Sequence, residues 1–120
     1  MGVAMDAEFV VDALLFESER DEERVRIVCG VTPEGEVVIA QRTTGPLTAW
    51  CFEEEAHDVE VRIAEAQAPV LLRRLGMEGI DQIPAALQIR FAGYDSALRI
   101  REFCREEGVP YEVRERQVCR

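Results

Sequence analysis

The only histidine of the chain lies in an acidic run, which makes this run the first place to look for chemistry. Glu53, Glu54 and Glu55 precede His57, and Asp58 follows it. An imidazole among carboxylates can serve as a general base or as one ligand of a divalent cation. The run, however, lies between two strand-like segments and is typical of a hairpin turn, where ligands from several elements do not converge. We therefore predict a surface histidine here, with no catalytic residue and no metal ligand.

The remaining nucleophiles and glycines match no catalytic or cofactor motif. Neither of the two serines, Ser18 and Ser96, stands in a G-x-S-x-G context, and the glycines form no phosphate-binding fingerprint. The four cysteines are Cys29, Cys51, Cys104 and Cys119. None of them forms a C-x-x-C pair, which favours independent reduced thiols over a zinc or redox site. We expect no cofactor, and we expect that the protein is not an enzyme.

An interaction surface is a stronger prediction for this region than a catalytic or metal site, because aromatic side chains directly precede the acidic run. The segment 47–53 has apolar residues on both strand parities, so one parity faces either loops of the same chain or a partner. The predicted surface consists of Trp50, Phe52, Glu53, Glu54, Glu55, His57 and Asp58. Tyr94 and Tyr111 are the other aromatic candidates for recognition. The alternative is that the acidic residues only form solvated turns.

Composition limits the partner classes. The chain has 120 residues, enough for a single domain over 1–120, with 48% hydrophobic and 32% charged residues. Its 24 acidic residues outnumber 14 basic ones, for a net charge of −10. This balance argues against nucleic-acid binding, which needs a basic surface, and favours a basic protein partner. We expect residues 1–5 to be a disordered leader. No signal peptide or membrane span is indicated, which predicts a cytoplasmic protein.

Hydrophobic periodicity predicts an α+β fold. Alternation in the first half is typical of a β-meander, and the second half is mostly helical. Strands are predicted at 7–16, 24–31, 37–42, 47–53, 58–64 and 111–118, and helices at 69–75, 84–91 and 96–107. The result is a mainly antiparallel sheet of five or six strands with about three helices on one face. Two alternatives stay open: segment 7–16 could be a helix, and the last strand could pair with the first strand or with an interior edge.

The predicted meander also determines at which end of the sheet each acidic cluster is expected. The acidic residues of 17–23 form a solvated turn beside Gly45 and Pro46, and those of 53–60 lie at the opposite end of the sheet. Small size and acidity favour an accessory or regulatory protein of the immunity, antitoxin or inhibitor type that acts by protein–protein contact. The alternative is a small ligand-binding or catalytic domain with its site near His57 or between sheet and helices. Alternating Glu and Arg in the last strand favour a homodimer.

Overall fold

The described residues, 9–45 and 56–118 of a computed structural model, form one antiparallel sheet with helices on one face. Its strands are β1 (Val11–Arg20), β2 (Glu23–Val31), β3 (Val37–Thr44), β4 (Ala56–Ile63) and β5 (Glu112–Val118). They pair in the order β1-β2-β3-β4-β5. This confirms the predicted α+β fold and, over residues 11–16, the strand interpretation of segment 7–16. The predicted strand 47–53 and the predicted leader 1–5 lie outside the described residues.

Three helices follow β4 and return the chain to the sheet. They are α1 (Ala68–Leu75), α2 (Ile83–Phe91) and α3 (Ser96–Glu107), with short 3-10 turns before α1 and α2. A proline stands in the first turn of α1 and of α2, where its missing N–H costs nothing. Gly76 and Gly108 end α1 and α3 with φ of 72° each, a left-handed conformation that favours glycine. No described helix has the length and apolar character that a bilayer crossing requires.

The core lies between the helices and one face of the sheet, here called the helix-covered face. Alternate residues of the central strands point into it, so that Ile27, Ile39 and Val61 are fully buried. Leu71, Leu87 and Ile100 from the three helices meet them. The alternation in 24–31 and 37–42 is therefore a correct guide to the buried side.

The opposite side, here called the second face, holds a smaller apolar cluster. Phe9 packs on Val28, Val38 and Ala40 near the end of the sheet where β2 turns into β3. A Cβ on Gly30 would stand 2.3 Å from the Phe9 ring, so only glycine allows this ring to approach β2. Toward the other end of the strands, the second face carries charged side chains.

The first hairpin corrects the predicted turn at 17–23. β1 continues through Glu17 to Arg20, and the turn is reduced to Asp21 and Glu22, with φ of 53° and 68°. An irregularity between Leu14 and Phe16 shifts the register of β1 against β2. Glu17, Glu19 and Arg20 can lie in an edge strand because their side chains are exposed to water.

The last strand settles the question of pairing that the sequence left open. β5 runs antiparallel to β4, with Val113 opposite Val61 and Glu112 opposite Arg62. It therefore forms one edge of the sheet, and β1 forms the other.

Candidate functional site

The predicted interaction surface is only partly described. Trp50, Phe52, Glu53, Glu54 and Glu55 lie outside the described residues. Its last two members, His57 and Asp58, belong to β4. The prediction that His57 lies in a turn is therefore wrong, whereas Asp58 lies in a strand, in agreement with the predicted strand 58–64. Adjacent residues of a strand point to opposite faces, and the structure accordingly separates His57 from Asp58.

His57 lies at the margin of the helix-covered face, opposite Thr43. Its side chain is 11% exposed, and Nε2 stands 3.9 Å from a carboxylate oxygen of Glu115. The Thr43 hydroxyl donates a hydrogen bond to the main-chain oxygen of His57, at 3.4 Å. The neighbouring strand β5 thus brings the Glu115 carboxylate to ion-pair distance of the imidazole. Within the described residues, no three His, Cys, Asp or Glu side chains converge into a metal site.

Asp58 lies on the second face beside Arg42. Its side chain is 3% exposed and that of Arg42 is 23% exposed, with Arg42 Nε 3.4 Å from Asp58 Oδ1. Nε and Nη2 of Arg42 are buried and make no hydrogen bond. The pair is therefore an ion pair with imperfect hydrogen-bonding geometry, a desolvated arrangement that costs free energy unless other contacts compensate.

The position of Asp58 also corrects the predicted distribution of charge. The cross-strand row Glu17, Arg26, Arg42, Asp58 crosses four strands at the end of the sheet that holds the β1–β2 turn. The described part of the second acidic run thus begins at the same end as the first, not at the opposite end. The error has a simple cause: β3 pairs directly with β4, whereas the prediction placed one more strand between them and so reversed the direction of every later segment.

A cavity of about 680 Å³ opens at this end of the sheet. Its lining is Glu17, Ser18, Glu19, Arg24, Val25, Arg26, Arg42 and Thr44. Arg24 forms an ion pair with Glu19 at 2.7 Å, and Arg26 with Glu17 at 3.5 Å. Arg26 and Arg42 are directly opposite each other, a like-charge pairing that the flanking carboxylates compensate. The charged side chains of the lining are two glutamates and three arginines, so the cavity carries little net charge.

The helical layer carries a second candidate, here called the corner patch: Ile89, Arg90, Tyr94, Leu98 and Arg99, where α2 turns into α3. Ile89, Tyr94 and Leu98 are 85%, 76% and 54% exposed, more than any other large apolar side chain described in the helical layer. Sequence reasoning named Tyr94 but not Ile89 or Leu98. The available signal was their position outside the apolar stripes of their own helices.

The arginines of the corner patch rest on an aromatic pair. Phe91 and Phe103 meet edge to face, with ring centroids 5.4 Å apart. The Arg90 guanidinium carbon lies 4.7 Å from the Phe103 centroid, and that of Arg99 lies 5.7 Å from the Phe91 centroid. Arg99 Nη2 also donates to the main-chain oxygen of Arg90, at 3.5 Å. Cation–π contacts of this kind hold both guanidinium groups against the protein surface.

The described thiols are protected from solution chemistry. Cys29 and Cys104 are free and fully buried. Burial raises the pKa of Cys29 to about 12 and that of Cys104 to about 11. Because the thiolate is the nucleophile, both groups are poor nucleophiles at neutral pH. Cys51 and Cys119 lie outside the described residues.

Comparison with known proteins adds no family to this picture. No protein-family model, no curated protein and no solved structure matches the chain.

Proposed function

We propose that the protein is an accessory or regulatory protein that binds a basic protein partner through the corner patch. The observation that carries the proposal is the exposure of Ile89, Tyr94 and Leu98 within ten positions of one another. Single exposed apolar residues are common on any surface, but a concentration of them marks an interaction site. The partner fits the class of targets bound by immunity proteins, antitoxins and inhibitors.

The composition of the corner patch supports the proposal. Tyrosine and arginine are enriched at the energetic centres of protein interfaces. Arg90 and Arg99 already lie against Phe91 and Phe103, so ordering them on binding costs little side-chain entropy. A partner gains contact with Tyr94 and Leu98 without reorganising the helices beneath them.

The charge of the chain supports a basic partner. A net charge of −10 attracts a positively charged protein over about one Debye length, which is longest at low salt, and this attraction raises the association rate more than the affinity. The arginines of the corner patch are local contacts and do not change the sign of the long-range field. Asp21 and Glu22, both exposed at the tip of the first hairpin, contribute to that field.

Site-specific photo-crosslinking in the native host tests the proposal. A photoreactive residue replaces Leu98, and the matched control replaces Arg73, an exposed residue of α1. We expect one basic protein to be captured at position 98 and not at position 73. The purified partner must then bind the unmodified chain, and Tyr94→Ala should weaken binding at least about tenfold. Met77→Ala is the control, since Met77 is exposed but lies outside the corner patch.

Two results would overturn this function. One is equal capture at positions 73 and 98. The other is a purified partner whose affinity is the same for the unmodified chain and for Tyr94→Ala. Raising the salt concentration separates the electrostatic attraction from the apolar contact, because salt should slow association and leave the apolar contact in place.

A second candidate function rests on the cavity at the β1–β2 end. Nε and Nη2 of Arg42 are buried and make no hydrogen bond, although Nε lies at ion-pair distance from Asp58, and buried donors normally have a hydrogen-bond acceptor. A small molecule with a carboxylate or phosphate group could supply it. Titration with citrate and with inorganic phosphate, followed by thermal unfolding, tests this function. It predicts a rise in Tm that Arg42→Gln removes, and an unchanged Tm would exclude it.

A further inference from the structure

The two edges of the sheet differ in how their main-chain groups are covered. At β1, Gln88 Nε2 donates to the main-chain oxygen of Leu14 at 2.8 Å, and the Gly93 N–H donates to that of Leu15 at 3.0 Å. The Gln88 side chain and the loop at Gly93 thus occupy two main-chain acceptors on the outer edge of β1. At β5, no described residue outside β4 bonds to a main-chain group of the strand. An uncovered edge is a template for pairing with another strand.

The apolar row that leads to β5 ends at a half-exposed residue. Cys29, Ile39 and Val61 are buried side by side on the helix-covered face, and Val113 continues the row on β5 with 38% exposure. A further strand beside β5 would cover Val113. The second face of the same strand carries Glu112 and Arg114, which pair with each other at 2.7 Å within one chain.

We propose that two copies of this chain associate by antiparallel pairing of their β5 edges about a two-fold axis at Val113. A two-fold axis perpendicular to the sheet keeps each face on its own side, so opposed residues share a face and their numbers have a constant, even sum. This inference does not rest on the proposed function, because the corner patch and β5 share no residue.

Among two-fold axes at residues 112–115 of β5, the charges select one register. An axis at Val113 places Val113 against itself and Glu112 against Arg114 of the second copy, twice. An axis at Glu112, Arg114 or Glu115 places that charged residue against its own copy, and like charges opposed across strands are unfavourable. The Val113 register therefore pairs apolar with apolar on one face and acid with base on the other.

The interface is small, which determines the expected affinity. A stable interface buries about 800 Å² on each partner, and one pair of short edge strands buries less. The exposed Glu112–Arg114 pairs contribute specificity more than affinity. We therefore expect a dissociation constant in the micromolar range or weaker, with dimer at high concentration and monomer at low concentration.

Charge exchange tests the register. Under reducing conditions, sedimentation of the full chain should show a monomer–dimer equilibrium between micromolar and about hundred-fold higher concentration. Glu112→Arg opposes arginine to arginine, and Arg114→Glu opposes acid to acid, so each variant alone should weaken dimerisation at least about tenfold. An equimolar mixture of the two variants places Arg against Glu at both pairs and should restore the dimer.

Crosslinking at the axis tests the geometry independently. With Cys51→Ser and Cys119→Ser as background, Val113→Cys should form a disulfide between copies under mild oxidation, because residues opposed at the axis lie within bridging distance. Glu115→Cys is the matched control, since it lies opposite position 111 of the second copy. A monomer at every concentration, a mixture that does not restore the dimer, or equal crosslinking at 113 and 115 would each overturn the proposal. Circular dichroism of every variant confirms that the monomer is folded.

Discussion

The two faces of the sheet use the same strands but different chemistry. On the helix-covered face, fully buried aliphatic side chains such as Ile39 fill the space under three helices. On the second face, a small cluster under Phe9 gives way to rows of paired charges. Burial of apolar area stabilises a fold far more than exposed ion pairs do. Most of the stability therefore lies on the helix-covered face, with a smaller contribution from the Phe9 cluster on the second face. The exception among the exposed charges of the second face is the Arg42–Asp58 pair, in which Asp58 is buried.

The largest effect is expected for a truncation on the helix-covered face. Ile39→Ala should lower the free energy of unfolding by about 4 kcal/mol, because it removes a fully buried side chain and leaves a cavity. Val113→Ala, in the same row but at the exposed edge, should cost less than about 1 kcal/mol. Denaturant unfolding of both variants measures the difference. Equal losses would mean that the row is not buried as described.

The second prediction concerns the exception on the second face. Asp58→Asn should lower the free energy of unfolding by about 3 kcal/mol, because it leaves the half-buried Arg42 without its carboxylate. Glu19→Gln, which breaks an exposed pair with Arg24 on the same face, should cost about 0.5 kcal/mol or less. A loss at Asp58 as small as that at Glu19 would contradict the burial of the pair.

The third prediction concerns the pH dependence of stability that a buried thiol of the helix-covered face produces. The raised pKa of Cys29 means that the folded state keeps a proton that the unfolded chain releases above about pH 9. Its contribution to stability is complete below pH 9 and is lost as the pH rises toward 12, by at most about 1.4 kcal/mol per pH unit. Between pH 9 and 12, the free energy of unfolding should therefore fall less steeply with pH for Cys29→Ala than for the unmodified protein. The same slope in both proteins would show that the thiol does not stay protonated in the fold.

The smallest effect is a gain. Asp21 and Glu22 both adopt positive φ in the two-residue turn of the first hairpin, where Asn-Gly is preferred. Asp21→Asn combined with Glu22→Gly should stabilise the protein by about 1 kcal/mol. Glu34→Gly is the control, because Glu34 is not among the residues with positive φ, and it should bring no gain. Stabilisation by the control alone would mean that the first turn carries no strain.

Local patterns predicted the parts of the fold in which one face of an element is apolar. The alternation of Val25, Ile27 and Cys29 identified β2 and its buried side. Proline at the start and glycine at the end bounded α1 within one residue. Such signals are local, so they appear in the sequence without knowledge of the partner strand.

The errors arose where the structure depends on partners distant in sequence. Glu17 and Glu19 suggested a solvated turn, but they lie in β1, where Arg26 and Arg24 of the neighbouring strand form ion pairs with them. Asp58 suggested an exposed acid, yet it is buried because β3 places Arg42 beside it. A charged residue in a strand is understood only with its cross-strand neighbour, which a single sequence does not identify.

The hydrogen bonds that Gln88 and Gly93 make to β1 have a consequence for how far assembly can proceed. A sheet with two uncovered edges adds copies at both ends and grows into a filament. Here the edge at β1 has its acceptors at Leu14 and Leu15 occupied, so under the proposed β5 pairing we expect growth to end at two copies. Gln88→Ala would remove one of these two hydrogen bonds, and we then expect species larger than a dimer in concentrated protein.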